Sequence, residues 1–414
     1  MAGRFGILIV LLFGLSCVLF PPPAWPQLAI GQYEEEAPLG TWNIFETATA
    51  ASLGRGGTCF SLASDCSAAL TNPALLLLLP KWTAMVNGSL TYASLFKYSL
   101  VNTGVLGSDG NLALTLYSLD FSGLSLHLGK WAFAITIGAR ELYNRPPAQS
   151  EYSYGGITYY SIDLTQKGML RTLNLSAARR INDWLSAGLG INLSAGDLKR
   201  EMIEEWPTSG ISITDRKTGD IREFYLNGGL LANLADRVRI AAVFRTPSSR
   251  KLKNSSLLEY SAGAGKTEIA IEASAEDNVK QPLILGLGAS ARILPHLDVA
   301  LDISYYGWSH YAFNYFGEAQ QRNFRDVMKA ATGMEWLSSF KLFGQRIDIP
   351  IRLGLAYDPQ PMKEPRSSYL AFTFGGGLSW QNLHLDFGVL IGRESGSGND
   401  LATRKLLVSL AFEL

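Results

Sequence analysis

The sequence predicts an all-β fold, a transmembrane antiparallel β-barrel of about 14 strands, an even number within the bacterial range. Three observations lead there. From Trp82 almost to the C-terminus, apolar residues alternate with polar or small ones at period two, the pattern of strands with one face on an apolar medium. An apolar leader is followed by no stretch near the ~20 consecutive apolar residues that a spanning helix needs. Links between the alternating segments are short and long in turn, as when one side of a membrane carries tight hairpins and the other carries extended ones.

Composition agrees with that reading. A chain of 414 residues suits one large barrel domain. Lys+Arg and Asp+Glu number 36 each, for a formal net charge of +0, which excludes the basic excess of a nucleic-acid surface. Charged residues make up 17%, below the usual quarter of soluble proteins. The 41 glycines and 11% aromatics fit strands whose outer face meets lipid.

Taken in order, the chain opens on an export signal over residues 1–27. Arg4 precedes an apolar run from Phe5 to Phe20, which Pro21, Pro22 and Pro23 break; cleavage is expected between Ala24 and Ala29. A membrane anchor is the competing reading, but the run is short and the proline block abrupt. Cys17 follows Gly14-Leu15-Ser16, a poor lipoprotein site because Gly14 stands where leucine is expected. The expected location is the bacterial outer membrane, crossed many times.

Residues 28–81 follow, with Trp42 and Phe45 as anchors near the start. The stretch GRGGTCFSLASDCSAALTNPA, Gly54 to Ala74, is rich in glycine and alanine. Small side chains let a short helix-and-turn segment pack inside a barrel, and glycines permit φ > 0 turns in a narrow bore. Asn72-Pro73 forces an extended or turn geometry there. Cys59 and Cys66 lie in a compartment that permits disulfides; a bridge would lock the turn, and two free thiols are equally open.

Residues 82–414 form the barrel. In Trp184 to Ala195, Leu185, Ala187, Leu189, Ile191 and Leu193 point one way and Ser186, Gly188, Gly190, Asn192 and Ser194 the other. The same alternation runs through Phe133 to Ala139, Leu173 to Ala177, Leu283 to Ala291, Leu297 to Tyr305 and Ile349 to Tyr357. Short links fall at Gly129-Lys130, Ile181 to Asp183, Ala235-Asp236, Leu294 to His296 and Gln381-Asn382; long ones at 143–168, 200–221, 247–280, 309–325 and 359–368. The last segment has an apolar face of Leu406, Val408, Leu410, Phe412 and Leu414. Trp131, Trp184, Trp308, Trp336 and Trp380 stand near segment ends, where interfacial girdles are expected.

Gly54, Gly56 and Gly57, then Ala63, Asp65, Ala68 and Ala69, then Asn72, Pro73 and Ala74 resemble the N-terminal motif of the FadL-type outer-membrane transporters of long-chain fatty acids and other hydrophobic compounds. A weaker similarity extends through Leu173 to Arg200, Tyr305 to Ser309, Phe324-Arg325-Asp326 and Ile351 to Pro361. The resemblance implies an N-terminal hatch, residues 28–81, plugging the lumen. It also implies a basic side chain meeting a ligand carboxylate in the bore, for which Arg325, Lys199 and Arg200 are the positional candidates. Lateral exit through a kink in the third strand, Trp131 to Leu142, would centre on Gly138, with Arg140 and Pro146-Pro147 also interrupting the ladder.

The function implied is passive transport of a hydrophobic small molecule by a monomer, with outer-membrane lipid around it, no nucleic-acid partner, no cofactor and no metal. The alternative is a structural or secretion-associated barrel that binds a protein partner. An enzyme is not expected: His127, His296, His310 and His384 are scattered, without metal-ligand spacing. Gly263-Ala264-Gly265-Lys266-Thr267 lacks the first glycine of a phosphate loop, whose place Tyr260 takes.

Overall fold

The computed structural model describes residues 49–62, 65–98, 110–143, 145–262, 267–315, 318–320, 324–342, 344–364, 366–396 and 402–414. The leader, Trp42, Phe45, Ala63 and Gly263 to Lys266 lie outside them.

Strands among these residues, in chain order, begin with β1 (Trp82–Tyr98), β2 (Gly110–Leu128), β3 (Trp131–Leu142), β4 (Arg145–Tyr154), β5 (Ile157–Arg180), β6 (Leu185–Trp206) and β7 (Ile211–Ala235). Next come β8 (Val238–Arg245), β9 (Ser248–Ala262), β10 (Thr267–Gln281), β11 (Ile284–Leu294), β12 (Leu297–Tyr306), β13 (Ala312–Tyr315) and β14 (Glu318–Gln320). The chain ends with β15 (Val327–Leu342), β16 (Gln345–Pro359), β17 (Ser368–Trp380), β18 (Leu383–Ser395) and β19 (Ala402–Glu413).

A closed antiparallel ring of 14 strands forms the wall. Its order is β1, β2, β3, β5, β6, β7, β8, β11, β12, β15, β16, β17, β18, β19, and β19 returns to β1 with Thr83 opposite Glu413. Ring closure pairs backbone N–H and C=O groups facing hydrocarbon within the wall, except where β2 outward of Phe121 parts from β3. Side-chain parity follows the sequence alternation. Phe133, Ile135 and Ile137 of β3 face outward and are exposed, while Ala132, Ala134 and Thr136 are buried. In β6, Leu189, Ile191 and Leu193 face out while Ser186, Asn192 and Ser194 face the interior.

Turns at the end that holds Trp82 and Leu414 are short. Gly129 (φ 63) closes the β2–β3 turn and Gln381 (φ 55) the β17–β18 turn. At the opposite end the structure departs from the expected long loops. Residues 143–168, 200–221 and 247–280 are largely strand: β4 with the outer half of β5, the outer ends of β6 and β7, and the β9–β10 hairpin. β9 joins the sheet on β7, from Ile211 opposite Ala262 to Arg222 opposite Lys251. These segments stand beyond the lipid, where both faces reach water. Hydrophobic alternation therefore fades, as in Lys199 to Glu205, while the hydrogen-bonded ladder continues. In β19, Leu410, Phe412 and Leu414 face out as expected, but Leu406 is buried with Val389 among Leu90, Tyr92 and Phe374.

Candidate functional site

The chain before β1 enters the ring and touches strands all round it. It forms two short helices, α1 (Ala50–Gly54) and α2 (Ala68–Thr71), and a 3-10 turn, Pro73–Leu78. Ala50 N donates to Ser409 Oγ of β19 (3.0 Å) and Gly56 N to Thr373 Oγ1 of β17 (2.8 Å). Arg55 Nη1 donates to Glu335 Oε2 of β15 (2.7 Å), which also accepts from Arg352 Nε of β16 (2.5 Å). Asp302 Oδ2 of β12 accepts from Cys59 N (2.7 Å) and Phe60 N (3.0 Å). Ser176 Oγ and Asn227 Nδ2 both donate to Ala69 O (3.1 and 2.9 Å). Cys59 and Cys66 are free thiols, and Cys66 Sγ donates to Thr83 O (3.4 Å).

Gly56 and Gly57 take φ of 73° and 90°, the left-handed region open to glycine. A Cβ on Gly56 would stand 2.5 Å from Thr332 O. Wall glycines complete the fit. A Cβ at Gly333 or Gly354 would strike the Arg55–Gly56 backbone, and one at Gly188 or Gly229 would strike Ala74 N or Asn72 Oδ1. Asn72 itself is fully buried: Nδ2 donates to Phe60 O (2.8 Å) and Leu230 O (3.3 Å), and Oδ1 accepts from Ala74 N (3.1 Å). Pro73 starts the 3-10 turn and Ala74 is buried beside it.

Outward of this segment the lumen holds a buried charge network. Glu223 accepts from Arg140 Nη2 (2.9 Å), Arg250 Nε (3.1 Å) and Ser248 Oγ. Arg250 Nη1 also reaches Glu141 (2.6 Å) and the Tyr143 hydroxyl (3.1 Å). The Arg140 guanidinium lies 4.2 Å from the Tyr225 ring centre. Across the bore an aromatic group gathers: Trp308 stacks on Tyr306 at 6.5 Å and meets Tyr311 (5.8 Å) and Phe324 (6.3 Å) edge-on. Lys329, ion-paired with Asp358 at 2.8 Å, stands over the Tyr306 ring.

The network lies beside a break in the wall. Among the described residues, the β2–β3 register runs from Leu128 opposite Trp131 to Phe121 opposite Gly138 and stops there. β3 stays paired with β5 past that point, with Arg140 bulged between Ala139 and Glu141. Gly138 is thus the last β3 residue in register with β2.

Beyond the throat, the lumen-side face of the projecting sheet carries apolar side chains interleaved with the polar Gln166, Arg200, Glu204, Asp215 and Lys217. Leu164 of β5 is in register with Met202 of β6, and Leu258 of β9 with Ile271 of β10; one step outward, Ile213 of β7 pairs with Tyr260 and Tyr260 with Ile269. Deeper on that face, Leu170, Ile221, Leu252 and Val279 form a buried cluster against Tyr143 and Tyr311.

Arg325 is half-buried, its Nε and Nη2 each 3.4 Å from the carbonyl oxygens of Met362 and Gln360. Beside it, Ser309 N donates to Asp326 (2.8 Å), as does the Tyr305 hydroxyl (2.8 Å), and these bonds hold the Asp326 carboxyl below its ordinary range. Arg200 lies half-buried in register with Gln166 and Lys217. The Lys199 side chain is 69% exposed, 3.7 Å from Asp197 on the outer face. Sequence reasoning missed Glu223, Arg250, Lys329 and the strand character of the projecting sheet. Parity carried a signal for the first: Glu223 and Tyr225 fall on the face opposite Phe224.

The model of the family described as "Outer membrane protein transport protein (OMPP1/FadL/TodX)" matches residues 43–390. Among solved structures, the toluene transporter TbuX of Ralstonia pickettii is similar at 15% identity and TM-score 0.62, over 90% of this chain and 99% of that one. A FadL homologue of Pseudomonas aeruginosa is similar at 16% identity and TM-score 0.65, over 89% and 99%. The toluene transporter TodX of Pseudomonas putida is similar at 15% identity and TM-score 0.65, over 90% and 100%. At these identities the shared property is the fold. No curated protein matches the sequence.

Proposed function

The chain belongs to this family of outer-membrane transport proteins, and from that premise we propose that it carries hydrophobic small molecules inward by passive diffusion. The supporting observation is the buried apolar cluster of Leu170, Ile221, Leu252 and Val279, which Tyr311 joins to the aromatic group around Trp308 and Phe324. An apolar ligand leaving water is favoured on such a surface by about 25 cal/mol per Å² buried. Successive apolar sites, rather than an open aqueous bore, then lead it to the throat.

The fatty-acid and aromatic alternatives use the same throat differently. A long-chain fatty acid would set its carboxylate near the half-buried Arg325 or the buried arginines, since a carboxylate without such a partner is costly to desolvate. Toluene, which TbuX and TodX are described as transporting, would stack on Trp308 and Tyr311. Exit is lateral, through the break beyond Gly138, and Gly54, Gly56, Gly57, Asn72, Pro73 and Ala74 hold the lumen segment that closes the axial route.

The test is uptake of labelled toluene and of labelled long-chain fatty acid by cells lacking their own transporter. Uptake of either above the empty-vector level is expected, and none from an assembled barrel would sink the reading. Gly138→Phe places a ring on the lumen side of the break and is expected to cut uptake at least tenfold at matched outer-membrane levels. Undiminished uptake by that variant would remove the lateral route.

A further inference from the structure

We propose that the outer rim of β5, β6, β7 and β9 binds the phosphates of a lipid A-type phosphorylated glycolipid of the outer leaflet, through Arg171, Arg222 and Lys251. This rests on the outer-membrane location and not on the transport reading. The three cations share one hydrogen-bonded row: Arg171 is opposite Ala195, Ala195 opposite Arg222, and Arg222 opposite Lys251. All three are exposed. With strands ~4.8 Å apart, Arg222 and Lys251 are about one strand spacing apart and Arg171 about two from Arg222.

The height of this row is fixed by what lies below it. Two residues inward on the same outer face stand Leu173, Leu193 and Phe224, one row of lipid-facing side chains that are 38%, 49% and 55% exposed. That step is about 6.6 Å along a strand. The cations therefore begin where the apolar band ends, the level at which headgroup phosphates meet acyl chains.

Charge in the row calls for an anion. Arg222 and Lys251 are directly opposite each other, and like charges in a cross-strand pair repel. Among the described residues none of the three forms an ion pair; Arg171 Nε meets only the Met169 sulfur, at 3.0 Å. The carboxylates stand one row further out: Asp197, Asp220 and Glu276, with Lys253 between Asp220 and Glu276. Lys253 pairs with Glu276 at 3.3 Å and Lys199 with Asp197 at 3.7 Å. A phosphate seated between Arg222 and Lys251 relieves their repulsion, and guanidinium offers it two parallel donors. A glycolipid with two phosphates can occupy both Arg171 and the Arg222–Lys251 pair, which a single-phosphate glycerolipid cannot.

The experiment is native mass spectrometry of the purified full-length barrel incubated with bisphosphorylated lipid A, its monophosphorylated form, or phosphatidylglycerol. Wild type is expected to retain the bisphosphorylated lipid at least tenfold better than either of the others. The Arg222→Gln/Lys251→Gln barrel, its assembly checked by heat-modifiable gel mobility, is expected to lose that preference. Lys253→Gln/Glu276→Gln, one row out, is expected to keep it. Equal retention of phosphatidylglycerol, or lipid A retained undiminished by the Arg222→Gln/Lys251→Gln barrel, would overturn the proposal. Should that variant fail to assemble, Arg171→Gln alone is measured: a fall toward monophosphorylated-lipid affinity supports the site, and no change overturns it.

Discussion

Gly354→Val is expected to assemble as a barrel with its lumen segment displaced, and to raise the conductance of planar bilayers at least tenfold over wild type. Gly354 of β16 is in register with Gly333 of β15, and the two leave a groove in which the Arg55–Gly56 backbone lies. Valine puts a branched side chain into that groove. The segment cannot shift aside cheaply, because Gly56 is held at φ 73° between Thr332 O and Leu355 O and is bonded to Thr373 Oγ1. Overpacking of this kind costs about 1–3 kcal/mol, and the wall itself tolerates valine, a strong strand former. The strain therefore falls on the segment. Emptying a 14-stranded ring leaves a bore between that of a filled 8-stranded barrel and that of an aqueous porin channel. A closed channel from assembled Gly354→Val protein would show that the Arg55–Gly56 contact is not what keeps the segment seated.

Much of this architecture was legible because the lipid enforces it. Leu189, Ile191 and Leu193 must alternate with small or polar residues when one face meets hydrocarbon and the other a crowded lumen. About 14 such segments can be counted in the sequence. The N-terminal motif was legible for a related reason: Gly56 takes a φ of 73° that favours glycine, and the Asn72 amide both donates to and accepts from buried backbone groups. The projecting sheet was not, because Met202, Ile213 and Ile271 stand among charged neighbours in water, where no solvent imposes a period. The throat was hidden differently. Arg140, Glu223 and Arg250 come from β3, β7 and β9, and only ring closure and the β7–β9 pairing bring them within hydrogen-bond reach. Arg325 was chosen by resemblance to a motif, and its neighbour Phe324 is the side chain that enters the aromatic group.

Glu223→Leu is expected to destabilise the barrel more than the paired replacement Arg140→Leu/Glu223→Leu. The Arg140 and Glu223 side chains are 2% and 0% exposed, so removing Glu223 takes a buried carboxylate away from both Arg140 and Arg250, at a cost on the order of 3–5 kcal/mol. Replacing both by leucine removes the charge along with its partner and adds apolar contact, a change that is often neutral. Arg250 softens the single variant, since it keeps Glu141 at 2.6 Å, and it keeps the double variant from full recovery. In a urea titration of the barrel in detergent, the midpoint should fall for Glu223→Leu and return most of the way for the pair. A double variant as unstable as the sum of the two singles would mean that the residues act independently. The same variants report on the wall break, because the Arg140–Glu223 bond ties the β3 bulge, just past Gly138, across the lumen to β7. With that tie gone the end of β3 is freer to move, so uptake by the stable double variant should change. Its stability alone would not predict that change.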